Sequence, residues 1–463
     1  MDFTISSIGQ NKGAKRVWLQ GNMLDRAGFV PRTRYEVTKG DGCIILKIAQ
    51  TGRRGVCLKE KGDKEIPVID LNNNEELAMF DGLEHVKVTF LEGEIRITAL
   101  ASEERARERV ARVERKLCAG EALSFGSLAH GGGVMDDAIE AGFKQAGLDC
   151  ELAFANEIRQ DLSDHAMSLG RTWKKATVAL NGKMQEFAFD DVAMRGLGVV
   201  DVLTAGLPCS GASVAGRAKR GLALPEAHPE VGHLVVAFLA IIARVNPVAI
   251  ILENVLPYAN SASMYIIRSQ LADLQYELHE TVVDGAEFGA LEPRKRMVMV
   301  AITKGVAFSF DAFEKPATTS RTLAEVLEPI AHDDARWSKM EGLKAKEIRD
   351  AANNKSFAMQ IFTGASEKIC TLTKGMSKNR STDAKIQHPT NPELLRVPTP
   401  LEHARCKQIP EEIIAGLSAT IAHELLGQSV IYSPFVALGK LLATCLRRMT
   451  IKTIEDDFCL VGC

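Results

Sequence analysis

The chain has 463 residues, too many for one ordinary domain, so two or three are expected. It is 46% hydrophobic and 25% charged, which fits a globular protein and excludes the disordered and collagen-like classes. Net charge is −2, so no global basic field advertises nucleic acid, and any surface for a polyanion must be local. Ten cysteines are scattered without Cys-x-x-Cys pairs or zinc-type spacing, which points to reduced thiols in a cytoplasm and to no metal site. The start, Met-Asp-Phe-Thr-Ile, lacks a basic stretch with an apolar core, and no uncharged run is long enough to cross a membrane. No membrane partner is expected, and neither a tandem repeat nor a low-complexity block stands out.

Residues 1–100 read as a β-rich module. Val17–Leu19, Tyr35–Val37, Cys43–Ala49, Val86–Phe90 and Ile95–Thr98 are short β-type runs between Gly, Asn and Asp turns. Gly40-Asp41-Gly42 and Glu92-Gly93-Glu94 have the composition of hairpin turns. The stretch Val17-Trp18-Leu19-Gln20-Gly21, Leu24, Ala27-Gly28-Phe29, Tyr35-Glu36-Val37 and Gly42-Cys43-Ile44-Ile45-Leu46 resembles the SymE-like branch of the swapped-hairpin AbrB-type domains. That resemblance implies a small module that dimerises and often touches DNA, so a homodimer through this module is expected. Residues 101–118 follow as a charged connector helix, with Glu and Arg at helical spacing and an apolar stripe of only Val110, Val113 and Leu117.

From 119 to 304 the pattern is α/β. Strand Leu123–Leu128 leads into Ala129-His130-Gly131-Gly132-Gly133, a helix over Val134–Ala146, and strand Cys150–Ala155 ending at Asn156-Glu157. Glycines let backbone approach a nucleotide, and Glu157 is placed to accept the ribose hydroxyls. His130 is a further candidate contact to the cofactor, and Asp191 a candidate acceptor for an adenine amine. Val200–Ala205 is an apolar run that breaks at Gly206, so that Pro208 presents Cys209 at a strand end. Arg217, Lys219 and Arg220 follow in a Gly/Ala-rich segment suited to a loop over a polyanion. Gly232–Arg244 and Tyr265–Leu274 read as helices, with strands at Val248–Leu252, Leu278–Val283 and Met297–Ile302. The first of these strands ends at Glu253-Asn254, which puts a carboxylate on the same rim as Cys209, and the last is preceded by Glu292-Pro293-Arg294-Lys295-Arg296.

Across residues 120–445 the chain resembles the DNA cytosine-5 methyltransferase family. Pro208-Cys209 matches the family's Pro-Cys nucleophile motif, and Glu253-Asn254-Val255 its Glu-Asn-Val. Glu292, Arg294 and Arg296 fall on its Gln-x-Arg-x-Arg, and Gly427-Gln428-Ser429-Val430 on its Gly-Asn-Ser-Val. Thr399-Pro400-Leu401-Glu402-His403-Ala404-Arg405 resembles its Thr-Pro-Arg-Glu-x-x-Arg helix. The departures are Leu128, His130, Ser210, Glu292 and Gln428, each standing where the family carries another residue.

The resemblance implies a Rossmann-like catalytic domain that binds S-adenosylmethionine and acts on a cytosine flipped out of duplex DNA. It assigns catalysis to Cys209, Glu253, Arg294 and Arg296. It assigns the cofactor to His130, Gly131, Gly132, Gly133, Glu157, Asp191, Pro208, Gln428 and Ser429. Residues 305–395 then form the target-recognition region, 396–448 the helices that complete the core, and 449–463 a tail. Within the recognition region Lys368, Lys374, Lys378, Arg380 and Lys385 make a local basic stretch, and Lys374, Lys378 and Arg380 join Arg217, Lys219 and Arg220 as DNA-binding candidates. The setting implied is a bacterial or phage restriction-modification enzyme at the nucleoid. Two other readings stay open at this point, a catalytically silent DNA-binding protein on the same fold and an RNA cytosine-5 methyltransferase.

Overall fold

Residues in the first hundred positions alternate between buried and exposed along extended segments, so each strand lends one face to a core. The computed structural model describes the chain except residues 41, 63, 209–223, 318–320, 356 and 461–463, and it describes no side chain beyond 449. Two units divide the chain, Met1–Arg107 and Glu108–Cys463.

The first unit holds strands β1 (Asp2–Asn11), β2 (Ala14–Gln20), β3 (Arg34–Gly40), β4 (Cys43–Ile48), β5 (Arg54–Gly55), β6 (Cys57–Lys61), β7 (Lys64–Asn72), β8 (His85–Leu91) and β9 (Glu94–Thr98). They form one sheet in the order β5-β3-β4-β9-β8-β1-β2-β7-β6, antiparallel throughout. Both expected hairpins are present, with Gly40 facing Cys43 and Leu91 facing Glu94. Sequence reading missed β1, whose apolar residues are diluted by Ser, Thr and Gly, and the Lys- and Glu-rich β6 with its partner β7. It also missed a repetition: two strands, a short helix and two strands occur twice in this unit.

The second unit is built on strands β10 (Leu123–Leu128), β11 (Cys150–Glu157), β12 (Val178–Asn181), β13 (Val202–Ala205), β14 (Ala249–Asn254), β15 (Tyr276–Asp284) and β16 (Lys295–Thr303). Their order is β12-β11-β10-β13-β14-β16-β15. The first five run parallel, and β16 runs antiparallel to both of its neighbours. The chain leaves β10 in one direction and returns to build β13 and β14 in the other, so a topological switch point opens between β10 and β13. One apolar core packs on each face. Val134, Ala138 and Phe143 join the C-terminal Leu438, Leu442 and Leu446 on one side, and Phe238, Ile241, Met264 and Ile267 lie on the other. A third, smaller core of Leu323, Val326, Ile369, Leu372, Met376 and Ile386 belongs to the segment around a three-stranded sheet. Leu291 and Cys406 join it from the two segments that flank the candidate site. Among the described residues no single helix is long and apolar enough to cross a membrane.

In the helix Ala101–Ala119 the charged side chains of Arg109 and Arg112 are buried. Arg109 is 1% exposed; its guanidinium donates to Thr303 Oγ1 (2.7 Å) and to the carbonyls of Leu274 and Gln275 (2.8 Å each), and it lies 3.8 Å from the Tyr276 ring centroid. Arg112 donates to Asp201 Oδ1 (2.9 Å) and Lys116 to Asp201 Oδ2 (2.6 Å). Ser124 adds its backbone N–H (2.8 Å) and its hydroxyl (2.9 Å) to that second oxygen. Asp201 is fully buried at the entrance to β13, so its charge is tolerable only because these donors surround it. Burial alone would push its carboxyl up; Lys116, Ser124 and Arg112 outweigh burial and hold it below the ordinary carboxylate value.

Asp201→Ala should therefore cost about 3–5 kcal/mol in urea denaturation, because it strands the buried Arg112 and the half-buried Lys116. Since the folded-state pKa of Asp201 is depressed, its contribution is present above the unfolded-chain value near 3.8 and is lost as pH falls through the folded value. The wild-type should thus lose stability below about pH 4 more steeply than Asp201→Asn, compared by thermal melts at several pH values.

Candidate active site

The carboxyl ends of β10, β11, β13 and β14 form one rim, and the sequence places a chemically useful side chain or turn at each. Glu157 ends β11. Its Oε2 accepts the backbone N–H of Gly131 (2.7 Å) and its Oε1 that of Arg159 (2.9 Å), so the carboxylate is held against the glycine-rich turn that follows β10. Each oxygen keeps a lone pair for a further donor. A side chain at Gly132 would overlap Leu425, whereas Gly131, at φ +58°, has nothing within 4 Å of where its Cβ would stand. At Gly133, φ +76°, a Cβ would strike the His130 ring.

His130 itself is a correction. Its Nε2 accepts the indole N–H of Trp173 (3.0 Å), which leaves the ring proton on Nδ1, facing Asp136 Oδ2 (2.8 Å) and Ser127 Oγ (3.1 Å). Both ring nitrogens are spent inside the protein, and the side chain is buried. His130 fixes the turn and does not offer its ring to a ligand. Sequence reading missed Trp173 and Asp136 because neither sits in a motif with His130; Asp136 is also held by Thr204 at the next strand.

At the second acid position the cap is Asp190, whose Oδ1 accepts the N–H groups of Val192 (2.8 Å) and Ala193 (3.0 Å). Asp191 is the exposed first residue of helix Asp191–Leu197. Exposed apolar side chains stand beside both acids: Ile158 is 63%, Phe189 66% and Val192 76% accessible. Apolar surface of this kind next to fixed carboxylates suits a purine nucleoside.

Cys209, Ser210, Arg217, Lys219 and Arg220 lie outside the described residues. Pro208, exposed, is the last described residue of that turn. The turn is anchored from the neighbouring strand, since Asn254 Nδ2 donates to the carbonyl of Leu207 (3.1 Å) while its Oδ1 accepts from Val255 N (2.8 Å). The Glu-Asn pair thus has divided roles, with Asn254 gripping Leu207 ahead of Pro208 and Glu253 facing the arginines.

Because β16 is antiparallel, its start lies beside the end of β14, with Glu253 opposite Val298 and Asn254 opposite Met297. Arg296 Nε reaches Glu253 Oε1 at 2.9 Å. Burial pushes the Glu253 carboxyl up, and Arg296, Arg294 and Lys407 pull it back without cancelling the shift. Arg294, expected to touch substrate, is 8% exposed and turned inward. It donates to the Gly427 carbonyl (3.1 Å) and lies 3.5 Å from Glu292 Oε1.

Glu292 is completely buried, as is Lys407, a residue no motif had flagged. Lys407 Nζ lies 4.0 Å from Glu292 Oε2 and donates to the carbonyls of Ser429 (3.0 Å) and Leu426. Burial and the nearby Arg294 push the Lys407 ammonium well below its ordinary value, and Glu292 pulls it the other way. Gly427 packs so tightly against the backbone of Thr373 and Lys374 that a Cβ there would lie 2.0 Å from Lys374 N. Gln428 is exposed at the end of helix Ala419–Gln428, while the Ser429 hydroxyl is spent on the Leu425 carbonyl (2.7 Å).

The basic stretch of the recognition segment is smaller than its sequence suggests. Lys368, Lys374 and Lys378 are exposed. Arg380 is paired with Asp383 (3.1 Å) and bonded to Thr373, and Lys385 is fully buried, donating to the carbonyls of Arg380 (3.0 Å) and Asp383 (2.9 Å).

A switch-point sheet with one antiparallel strand, a glycine turn closed by an acid, and a Glu–Arg pair on the rim where Asn254 holds Leu207 together define an α/β methyltransferase. The chain belongs to the C-5 cytosine-specific DNA methylase family, whose model matches residues 133–441. It is 26% identical over 258 residues to the type II methyltransferase M1.ScrFI of Lactococcus lactis subsp. cremoris, covering 54% of this chain and 63% of that protein. It is 26% identical over 269 residues to the type II methyltransferase M.MspI of a Moraxella species, covering 56% and 59%. The chain thus spans about three fifths of the length of these relatives. In fold it is similar to the Dnmt2 methyltransferase of S. pombe, with TM-score 0.55, 18% identity, and coverage of 71% of this chain and 99% of that one. The methyltransferase EhMeth of Entamoeba histolytica gives TM-score 0.54, 14% identity, and coverage of 70% and 98%.

The Glu292–Lys407 pair generates a direct test. Lys407→Met leaves the buried Glu292 carboxylate with Arg294 as its remaining ionic partner and strips the Leu426 and Ser429 carbonyls of a donor, and should cost about 1–3 kcal/mol. Adding Glu292→Gln should recover part of that loss, with a coupling of about 1–3 kcal/mol in a double-mutant cycle by urea denaturation. A coupling of zero would mean that Lys407 serves only the two carbonyls.

Proposed function

We propose that this chain is a DNA cytosine-5 methyltransferase that uses S-adenosylmethionine as methyl donor and a flipped-out cytosine of duplex DNA as acceptor. The observation that carries the reading is the Glu253–Arg296 pair on the same rim as the turn that Asn254 holds by Leu207. Cytosine C5 is too weak a nucleophile to take a methyl group unaided. A Cys209 thiolate adding to C6 turns the ring into an enamine, and C5 becomes the nucleophile. Glu253, whose carboxyl burial pushes up, can hold a proton at cytosine N3 and so stabilise the charge that grows as sulfur attacks. Arg296 orders Glu253 and is the guanidinium assigned to the cytosine O2 in this reading.

S-adenosylmethionine, when bound, supplies an electrophilic sulfonium methyl. The residues that would hold it are the Gly131–Gly133 backbone, Glu157, Asp191, Pro208, Gln428 and the backbone of Ser429, with His130 and Trp173 keeping the turn in shape. Fit to such a nucleoside is supported by the two acids, by the exposed Ile158, Phe189 and Val192, and by the open space at Gly131. Duplex DNA is the proposed partner, held by Lys374 and Lys378 and by Arg217, Lys219 and Arg220 beside the nucleophile. An intact Glu253–Arg296 pair argues against a silent protein on the same fold.

Duplex DNA carrying 5-fluorocytosine at the target should trap the enzyme covalently in the presence of cofactor, because fluorine at C5 cannot leave as a proton does. Cys209→Ala should give no adduct and no turnover while melting like the wild-type. Absence of an adduct with folded, cofactor-bound wild-type would overturn the reading, and an adduct with tRNA in place of DNA would move the substrate to RNA. In calorimetry, Glu157→Ala should weaken cofactor binding by about 1.5–3 kcal/mol, the scale of charge-assisted hydrogen bonds.

DNA affinity should fall with salt by about 0.9 log unit per log unit for each phosphate contact. Lys374→Ala with Lys378→Ala should flatten that slope for all sequences alike, whereas Arg380→Ala, already paired with Asp383, should leave it nearly unchanged. Fluorescence titrations at several salt concentrations check both.

A further inference from the structure

The resemblance of the N-terminal unit to swapped-hairpin domains led to the expectation of a homodimer. The pairing of its strands points elsewhere. Across β2 and β7, Val17 faces Leu71 and Leu19 faces Ile69. Shifting by 52 residues carries Val17 to Ile69 and Leu19 to Leu71, so the pairing maps onto itself when the two strands are exchanged. Across β4 and β9, Ile44 faces Ile97 and Leu46 faces Ile95, and a shift of 51 does the same. Mutual pairing of this kind is the mark of a twofold, isologous interface.

Residues between these strands follow the same shift. Ala27 and Phe29 correspond to Ala78 and Phe80, Thr38 to Thr89, and the hairpin glycines Gly42 and Gly93 share φ of 70° and 71°. Both halves feed one core, in which Val17, Leu19, Ile44 and Leu46 join Ile69, Leu71, Ile95 and Ile97.

We propose that residues 2–48 and 57–98 are two diverged copies of one unit, and that the second copy is the permanent partner of the first within the same chain. Charge favours that pairing over any other. Residues 2–48 carry eight Lys and Arg against four Asp and Glu, and residues 57–98 carry five against ten. Two first copies would repel each other, as would two second copies, while a first and a second attract.

The contacts across the pseudo-axis agree. Arg16 makes a bidentate pair with Asp70 (2.8 and 2.9 Å) and lies 4.1 Å from the Trp18 ring centroid, and Lys15 pairs with Asp81. Trp18 faces Asp70 across β2 and β7. In a pair of second copies Asp70 would face Asp70, which is destabilising. The outer edges of the sheet discourage addition of another chain as well. β5 has two residues, and β6 is exposed along its length with Lys59 and Lys61 on it. The module therefore needs no second molecule.

A cross-link separates closure within a chain from exchange between chains. Ile45 and Arg96 are direct partners across β4 and β9, and neither is buried. Antiparallel partners lie within the Cα separation a disulfide spans. Full-length Ile45→Cys with Arg96→Cys, on a background with Cys43→Ser and Cys57→Ser, should oxidise to a bridged species of single-chain mass on a non-reducing gel. A covalent dimer would overturn the proposal, as would failure to bridge in a folded protein. Light scattering of the unmodified full chain needs no substitution. A monomer is expected, and a stable dimer that is lost when Arg16→Glu and Lys15→Glu are introduced would overturn the proposal.

Discussion

Charges alternate beneath the rim of the catalytic sheet, and the site depends on that alternation. Glu253 faces Arg296, Arg294 lies against Glu292, and Glu292 faces Lys407. All are withdrawn from water to a degree that would be prohibitive for any one of them alone. The five come from four stretches of chain, namely the end of β14, the start of β16, the segment before it, and the turn after helix Pro400–Cys406. Arg294 and Lys407 then pass the constraint to the carbonyls of Gly427, Leu426 and Ser429, the turn that closes towards the cofactor side. Glu253, the proposed catalytic carboxylate, and the turn at Leu426–Ser429, proposed to face the cofactor, are thereby held by one network.

The glutamate at 292, where the family carries a glutamine, lies buried between Arg294 (3.5 Å) and Lys407 (4.0 Å). An isolated buried carboxylate would be costly, and the neighbouring cationic side chains reduce that cost. His130, another departure, is compensated locally, because its ring satisfies Trp173 and Asp136 and so takes no polar debt into the core.

Much of the catalytic unit could be read from the chain because its chemistry sits at strand ends in contiguous motifs. Glu253, Arg296 and Glu157 each lie within a few residues of a Gly, Pro or apolar run that locates the strand. What could not be read depends on partners far apart in sequence. Lys407 and Glu292 are 115 positions apart, and nothing local marks a lysine as buried. Arg109 and Arg112 have the helical charge spacing of a solvated face, and only their partners Thr303, Asn246 and Asp201 reveal otherwise. Lys385 was misjudged for the same reason. The two copies in the N-terminal unit escape detection because what they share is a register of small apolar positions and one hairpin glycine, too sparse to stand out as a repeat. The antiparallel course of β16 was also invisible, since an apolar run does not state its direction.

The central claim is that these rim residues make 5-methylcytosine in DNA. Bisulfite sequencing of genomic DNA from cells expressing the chain, with Glu253→Gln expressed as the control, tests it most directly. The account predicts cytosines protected from conversion within one short sequence context, and protection lost or strongly reduced with Glu253→Gln. Uniform conversion in the wild-type sample, from cells in which the folded protein is present, would contradict it.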